Sequence, residues 1–285
     1  MLAESPRGFD PDINAYYDQA PEESRLEAGP SRLEELRTRE LIVRHAPVPP
    51  ALVLDVGGAA GAYAFWLAER GYQVRLIDAV PRLIQLARAR NEQAAHKLAS
   101  CTVADARAIP EADDSADVVL MLGPLYHLVQ AEDRHMALTE AARVLRPGGV
   151  LLAAGISRWA STLDGLSREL LQDEEFARMA ERDLRDGHHR NATGRLDYFT
   201  TAFLHRPEDL RAEVAGAGLD VQALYGVEGP GWILGDFGDR WNDPARRQIL
   251  VDVARRLESE PSLLGASAHL IVVGRKPAGH RAAAV

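Results

Sequence analysis

The chain has 285 residues, 42 acidic and 33 basic side chains, and a formal net charge of −9. That balance argues against a nucleic-acid partner, because holding phosphates by charge needs clustered Lys and Arg and no basic stripe is visible. The single cysteine, Cys101, excludes a disulfide framework or a cysteine-ligated metal and fits a reducing, cytoplasmic setting. No apolar run reaches the roughly 18 uncharged residues that a membrane span requires.

Residues 1–11 are polar and carry two prolines, which is not the pattern of a signal peptide. Tyr16, Tyr17, Asp18, Glu22 and Glu23 form an aromatic and acidic cluster too polar for a core. Residues 31–43 have helical spacing, with Leu33, Leu36 and Leu41 apolar between Arg37, Arg39 and Glu40. Pro47, Pro49 and Pro50 end that helix, so residues 1–50 read as a helical cap.

Val53, Leu54, Asp55 and Val56 then run as a strand into Gly57, Gly58, Ala59, Ala60 and Gly61, followed by a helix. Glycines allow a sharp turn and close approach to a ligand, and the helix start offers unpaired N–H groups. A dinucleotide loop wants GxGxxG, of which only Gly57 is present. The spacing DxGxGxG is met at Asp55, Gly57 and Gly61, with Ala59 as the one departure.

Residues 73–77 read as a second strand ending at Asp78, 21 positions after Gly57, where a carboxylate can accept both hydroxyls of a ribose. Pro81 opens a helix. Residues 101–104 form a third strand tipped by Asp105 and Ala106. Residues 116–122 form a fourth, which leads through Leu122 into Gly123, Pro124, Leu125, Tyr126 and His127. The segment LRPGG precedes a fifth strand over 150–156. Strands rich in Val, Ile and Leu that alternate with helices indicate a parallel sheet covered on both faces. Ligands bind beyond the carboxyl ends of such strands, where Asp55, Asp78, Asp105 and the 123–127 loop all fall.

Residues 157–204 carry no strand signal, only a helix over 173–186 followed by His188 and His189. Adjacent side chains diverge and no carboxylate spacing completes a ligand set, so no metal is expected. A helix over 207–216, a sixth strand over 219–227, a helix over 244–258 and an antiparallel seventh strand over 268–274 follow. Trp232, in a Gly-Pro-Gly-Trp loop, reads either as a pocket wall or as edge packing. Residues 278–285 read as a tail.

The DxGxGxG-like loop and LRPGG resemble motifs I and III of class I S-adenosylmethionine (SAM) dependent methyltransferases. The resemblance covers residues 50–156 by motif and the whole chain by strand order. It implies an α/β fold, a seven-stranded, mostly parallel, doubly wound sheet over 51–277, with residues 1–50 as a lid and 157–204 shaping the substrate pocket. It also implies SAM as cofactor, held by Asp55, Gly57, Gly58, Gly61, Asp78, Ala79, Asp105, Ala106 and Leu122, with Tyr17 contributed by the lid. Asp105 would lie beside the adenine amino group, and Arg37 could pair with the methionine carboxylate.

Methyl transfer needs in-line geometry and exclusion of water, and a base only where the acceptor loses a proton. His127 is the first candidate base, titrating near pH 6.5 if unperturbed, with Tyr126, Tyr17, Glu22 and Glu23 behind it. A histidine bonded to backbone in a tight turn is the structural alternative. The YYD start, the GPLYHL loop and the GPGW segment look like small-molecule methyltransferases of bacterial secondary metabolism or quinone methylation. A narrower similarity runs to bacterial enzymes that methylate indole C3 of tryptophan-derived cyclodipeptides. The expected acceptor is an electron-rich aromatic or heteroaromatic of indole, phenol or quinone type, and a homodimer stays open. The rival readings are an NAD-dependent dehydrogenase and a noncatalytic SAM-binding protein.

Overall fold

The computed structural model describes residues 11–19 and 22–278, without the side chains of Pro11, Asn14, Asp18, Glu22, Glu23 and Ser24. The readings for residues 1–10 and for the tail beyond 278 lie outside the described residues. Two helices, α1 (Pro11–Gln19) and α2 (Ser31–His45), precede the sheet. The sheet begins with β1 (Leu52–Val56), helix α3 (Ala62–Ala68), β2 (Gln73–Asp78), helix α4 (Pro81–Gln93) and β3 (Ser100–Val103). Next come β4 (Ala116–Met121), the single turn α5 (Pro124–His127), helix α6 (Ala131–Val144) and β5 (Leu145–Ser157). These five strands pair in parallel in the order β3-β2-β1-β4-β5.

The uninterrupted apolar runs follow from burial on both faces, since successive strand residues point to opposite sides. On β4, Val118 and Leu120 pack with Phe65, Trp66 and Leu67 of α3 in one cluster. Val119 and Met121 face the other way, onto Ala137, Leu138 and Ala141 of α6. Leu41 and Ile42 of α2 join the first cluster, which seats the N-terminal cap on the sheet.

After β5 come α7 (Ala160–Ser167), α8 (Glu174–Asp186), β6 (His188–His189), β7 (Ala202–His205) and α9 (Pro207–Gly216). Then follow β8 (Asp220–Gly226), α10 (Phe237–Asn242), α11 (Pro244–Leu257) and β9 (His269–Arg275). Helix α8 starts where the Asp173 carboxylate accepts the N–H groups of Glu175 and Phe176, and stops at Gly187 with φ +80°. The expected final antiparallel strand is β9, which runs between β5 and β8.

The expectation of no strand in residues 157–204 is corrected by β6 and β7. Strand β7 pairs in parallel with the end of β5 through Ile156↔Leu204 and Ser157↔His205, and β6 pairs antiparallel with β7. Among the described residues the sheet therefore has nine strands rather than seven. Segments of two and four residues are too short to show a period, and β7 is buried throughout. Among the described residues no helix is long and apolar enough to cross a membrane.

Candidate active site

The β1–α3 loop is shaped by three residues in left-handed backbone: Gly57 (φ +71°), Ala59 (φ +50°) and Gly61 (φ +87°). A Cβ on Gly57 would stand 2.4 Å from Pro124 Cγ, so this glycine lets the β1 loop and the turn after β4 lie against each other. Gly58 is required by Asp55, whose carboxyl a Cβ would meet at 2.5 Å. Ala59 adopts the glycine conformation despite its methyl group, and its N–H donates to Asp78 Oδ2 at 2.8 Å. Asp78 Oδ1 takes the Val80 N–H at 2.8 Å. Two backbone donors thus aim the carboxylate at the tip of β2.

These elements enclose a cavity of about 260 Å³. Of the residues expected to hold a cofactor, Asp55, Gly57, Gly58, Asp78, Ala79, Asp105, Ala106, Leu122 and Tyr17 all line it. Gly61 does not. A Cβ there would press on Phe65 at 3.1 Å, so its place is in the packing of the loop against α3. Arg37 is also elsewhere: it is fully buried between Glu40 and Glu258, its guanidinium paired with both carboxylates. The basic residues that do reach this cavity are Arg25 and Arg90. Neither had a sequence signal, because nothing in the local pattern tells a surface arginine from one turned inward.

Asp55 is 1% exposed, and neither carboxylate oxygen has a hydrogen-bond partner among the described residues. Burial and the neighbouring Asp78 carboxylate push its pKa up to about 7. Asp105 is held instead by Arg107, which donates from its backbone N–H (2.8 Å) and from Nε and Nη2 (2.9 and 2.6 Å).

At the opposite wall, His127 Nδ1 faces the Thr201 carbonyl at 3.3 Å. A carbonyl only accepts, so Nδ1 carries the hydrogen and Nε2 keeps its lone pair. The Tyr17 hydroxyl, 2.6 Å from Nε2, donates to it. Burial pushes the His127 pKa down to about 4, the Thr201 carbonyl opposing weakly, so the imidazole is neutral. His127 is thus bonded to backbone, though to Thr201 on another segment, and its Nε2 accepts from Tyr17. Glu22 lies in a short helical turn over Glu22–Glu27, and its side chain is outside the described residues. Helix α1 is fastened over the site by Arg82, which donates to the Tyr17 carbonyl, and by the Thr200 hydroxyl, which donates to the Asp12 carbonyl at 3.3 Å.

A second cavity of about 380 Å³ shares Tyr17, Arg25 and Tyr126 with the first. Its walls come largely from residues 157–204, together with Tyr16, Trp232, Ala268 and His269. Trp232 is a wall of this cavity and is also anchored, its indole N–H donating to the Ala266 carbonyl at 2.9 Å. Both ring nitrogens of His189 are engaged by the protein: Nδ1 meets Asp183 at 2.7 Å and Nε2 meets the Tyr198 carbonyl at 2.8 Å, bracing α8 against the following loop.

A family model for a methyltransferase domain matches residues 54–153. The chain is 34% identical over 150 residues to methyltransferase GfsG of Streptomyces halstedii, covering 50% of this chain and 51% of that protein. It is 28% identical over 224 residues to a ubiquinone biosynthesis O-methyltransferase of Agrobacterium fabrum, covering 75% and 77%. The chain spans about half the length of several curated relatives that it matches. Among solved structures, SAM-dependent methyltransferases from Methanosarcina mazei and Mesorhizobium loti share the fold, each with a TM-score of 0.55 and 15% identity. The alignments cover 83% and 86% of this chain and 97% and 100% of those chains.

The first cavity suits SAM on its own terms. It sets an oriented acceptor carboxylate, Asp78, beside a glycine turn, and a buried acid without a partner, Asp55, where a cationic ligand would supply one. Residues 54–153 thus match a methyltransferase domain, and the lining of the first cavity fits its cofactor, SAM.

Proposed function

We propose that the chain transfers the methyl group of SAM to a small, electron-rich aromatic or heteroaromatic acceptor, of indole, phenol or quinone type, in bacterial secondary metabolism. The observation that carries this reading is the second cavity, joined to the cofactor cavity at Tyr17 and Tyr126 and walled by the rings of Tyr16, Phe176, Tyr198, Phe199 and Trp232. Ring faces favour planar partners through offset and edge contacts. The relatives point the same way, since one is a ubiquinone/menaquinone biosynthesis C-methyltransferase of Acidiphilium cryptum and another a ubiquinone O-methyltransferase.

SAM, when bound, supplies an electrophilic methyl carbon on a sulfonium. The protein's contribution is to position, to exclude water and to take a proton. Asp78 would accept the ribose hydroxyls and the Gly57–Gly58 turn would follow the ligand backbone closely. Helix α1 roofs the junction of the two cavities. As an acceptor O–H or N–H loses its proton, the Tyr17 oxygen takes it while the Tyr17 hydroxyl proton passes to His127 Nε2. Thr201 holds the opposite edge of the ring and so keeps Nε2 basic.

The test is incubation with SAM and a panel of indoles, phenols and amines, read by mass spectrometry for a gain of one methyl. Product from an indole or phenol is expected, and His127→Ala should lower its rate about 100-fold while SAM affinity stays near the parent's. Absence of any methylated product, or tighter equilibrium binding of NAD than of SAM, would overturn the reading.

A further inference from the structure

One wall of the second cavity carries a charged cluster that the proposed methyl transfer does not use. His269, at the start of β9, lines the second cavity and not the first, whereas His127 lines the first and not the second. Its Nδ1 donates to Glu228 Oε1 at 2.5 Å. Glu228 is buried at 2% exposure, and its other oxygen accepts the Ser267 hydroxyl (2.6 Å) and the His269 backbone N–H (3.0 Å). Glu34 stands behind, 3.8 Å from Nδ1, and is itself clamped by both terminal nitrogens of Arg25 at 2.7 and 3.0 Å.

Three of these side chains, Glu34, Glu228 and His269, lie close enough to hold a metal ion. Their ligand atoms are already engaged by protons, and the two carboxylates are balanced by Arg25 and by a protonated His269. Burial alone would pull the His269 pKa down, but Glu34 and Glu228 outweigh it and raise it to about 9. Burial likewise opposes ionisation of Glu34, and Arg25 and His269 bring it down to about 2. The imidazolium therefore persists at neutral pH. With Nδ1 given to Glu228, the polar atom that the ring offers the cavity is Nε2–H, which has no partner among the described residues.

We propose that the acceptor carries a hydrogen-bond-accepting oxygen besides the atom that is methylated, and that His269 Nε2–H receives it. This rests on the methyl-transfer reading for what occupies the second cavity. Of the other cations of this wall, Arg25 spends both terminal nitrogens on Glu34, and Arg168 is 45% exposed with Asp164 as its partner. His269 is thus the donor held charged by buried partners, and charge-assisted bonds are about twice as strong as neutral ones.

The test is a binding measurement independent of turnover. Protein loaded with S-adenosylhomocysteine is titrated by calorimetry with two matched pairs, acetylindole against ethylindole and hydroxyacetophenone against ethylphenol. The parent should bind the ketone at least about tenfold more tightly than its ethyl partner in one pair or both. His269→Phe should abolish that preference, His269→Gln should keep part of it through its amide N–H, and Glu228→Gln should weaken it. Unchanged S-adenosylhomocysteine affinity shows that each variant is folded. Absence of a preference in both pairs, or a preference that survives His269→Phe, overturns the proposal. A preference that depends on His269 without any methylated product would sink the methyl-transfer reading instead.

Discussion

Replacing Asp55 with Asn removes a buried ionisation while keeping the side chain's shape. The carboxyl moves from an ordinary 3.8 to about 7 in the folded chain, because burial and Asp78 both disfavour its charge. Between those values the folded state holds a proton that the unfolded state has released, so stability falls as pH rises. Proton linkage across pH 5 to 8 then amounts to about 3 kcal/mol for this group alone. His127 and His269 also titrate differently on folding, so the quantity to compare is the gap between variant and parent, in which their contributions cancel. Urea unfolding at several pH values should show Asp55→Asn gaining about 3 kcal/mol on the parent from pH 5 to pH 8. A gap that stays constant within about 0.5 kcal/mol would mean that Asp55 is not held protonated, and the account of a partnerless acid would fail. SAM, a cation, would favour the ionised form, so its affinity for the parent should rise over the same window while that for Asp55→Asn stays flat.

Ala59→Gly should relieve a left-handed strain of about 1 kcal/mol, offset in part by the freer unfolded chain. It should leave stability equal or higher and SAM affinity intact, which a thermal melt and a titration would check. Arg37→Gln removes one of the two arginine partners of Glu40 and of Glu258, which keep Arg255 and Arg44, and should destabilise by roughly 2 kcal/mol. Calorimetry should nevertheless find SAM affinity close to the parent's, and a large loss would restore Arg37 to the site.

The sheet and the cofactor edge were readable because each of their signals is contiguous. An apolar run ending in an acid reads as a strand buried on both faces with a polar tip, which Asp78 obeys at the end of β2, while Asp55 stands one residue inside β1 and Asp105 two beyond the half-buried β3. Strands β6 and β7 left no such trace, since they exist through pairing with one another and with β5. Arg37 misled for a related reason. Helical spacing places it on a face of α2, but the partner that decides what the face meets is Glu258, 221 positions away. The charged set around His269 was equally hidden, being assembled from Arg25, Glu34, Glu228 and the start of β9.

The Tyr17–His127 pair shows what the sequence could and could not carry. Both residues could be named as candidates, yet their 2.6 Å bond across 110 positions could not be foreseen, nor could the burial that removes His127 from its ordinary range. A free imidazole would give turnover an acid limb near pH 6.5. With the folded value about 4, His127 is neutral throughout the usual assay range, and the limb should move down to about pH 4. The sign for stability runs the same way: the unfolded histidine takes up its proton first, so stability is lost as pH falls from 6.5 toward 4. Rates must therefore be taken with the folded fraction monitored. If the tyrosine oxygen passes the proton to Nε2, Tyr17→Phe and His127→Ala should each slow turnover by about 100-fold, and the double variant should be no slower than either. An acid limb centred at pH 6.5 in fully folded protein would show that His127 is solvated rather than buried. Losses that multiply in the double variant would show that the two side chains act separately, and the relay would have to be abandoned.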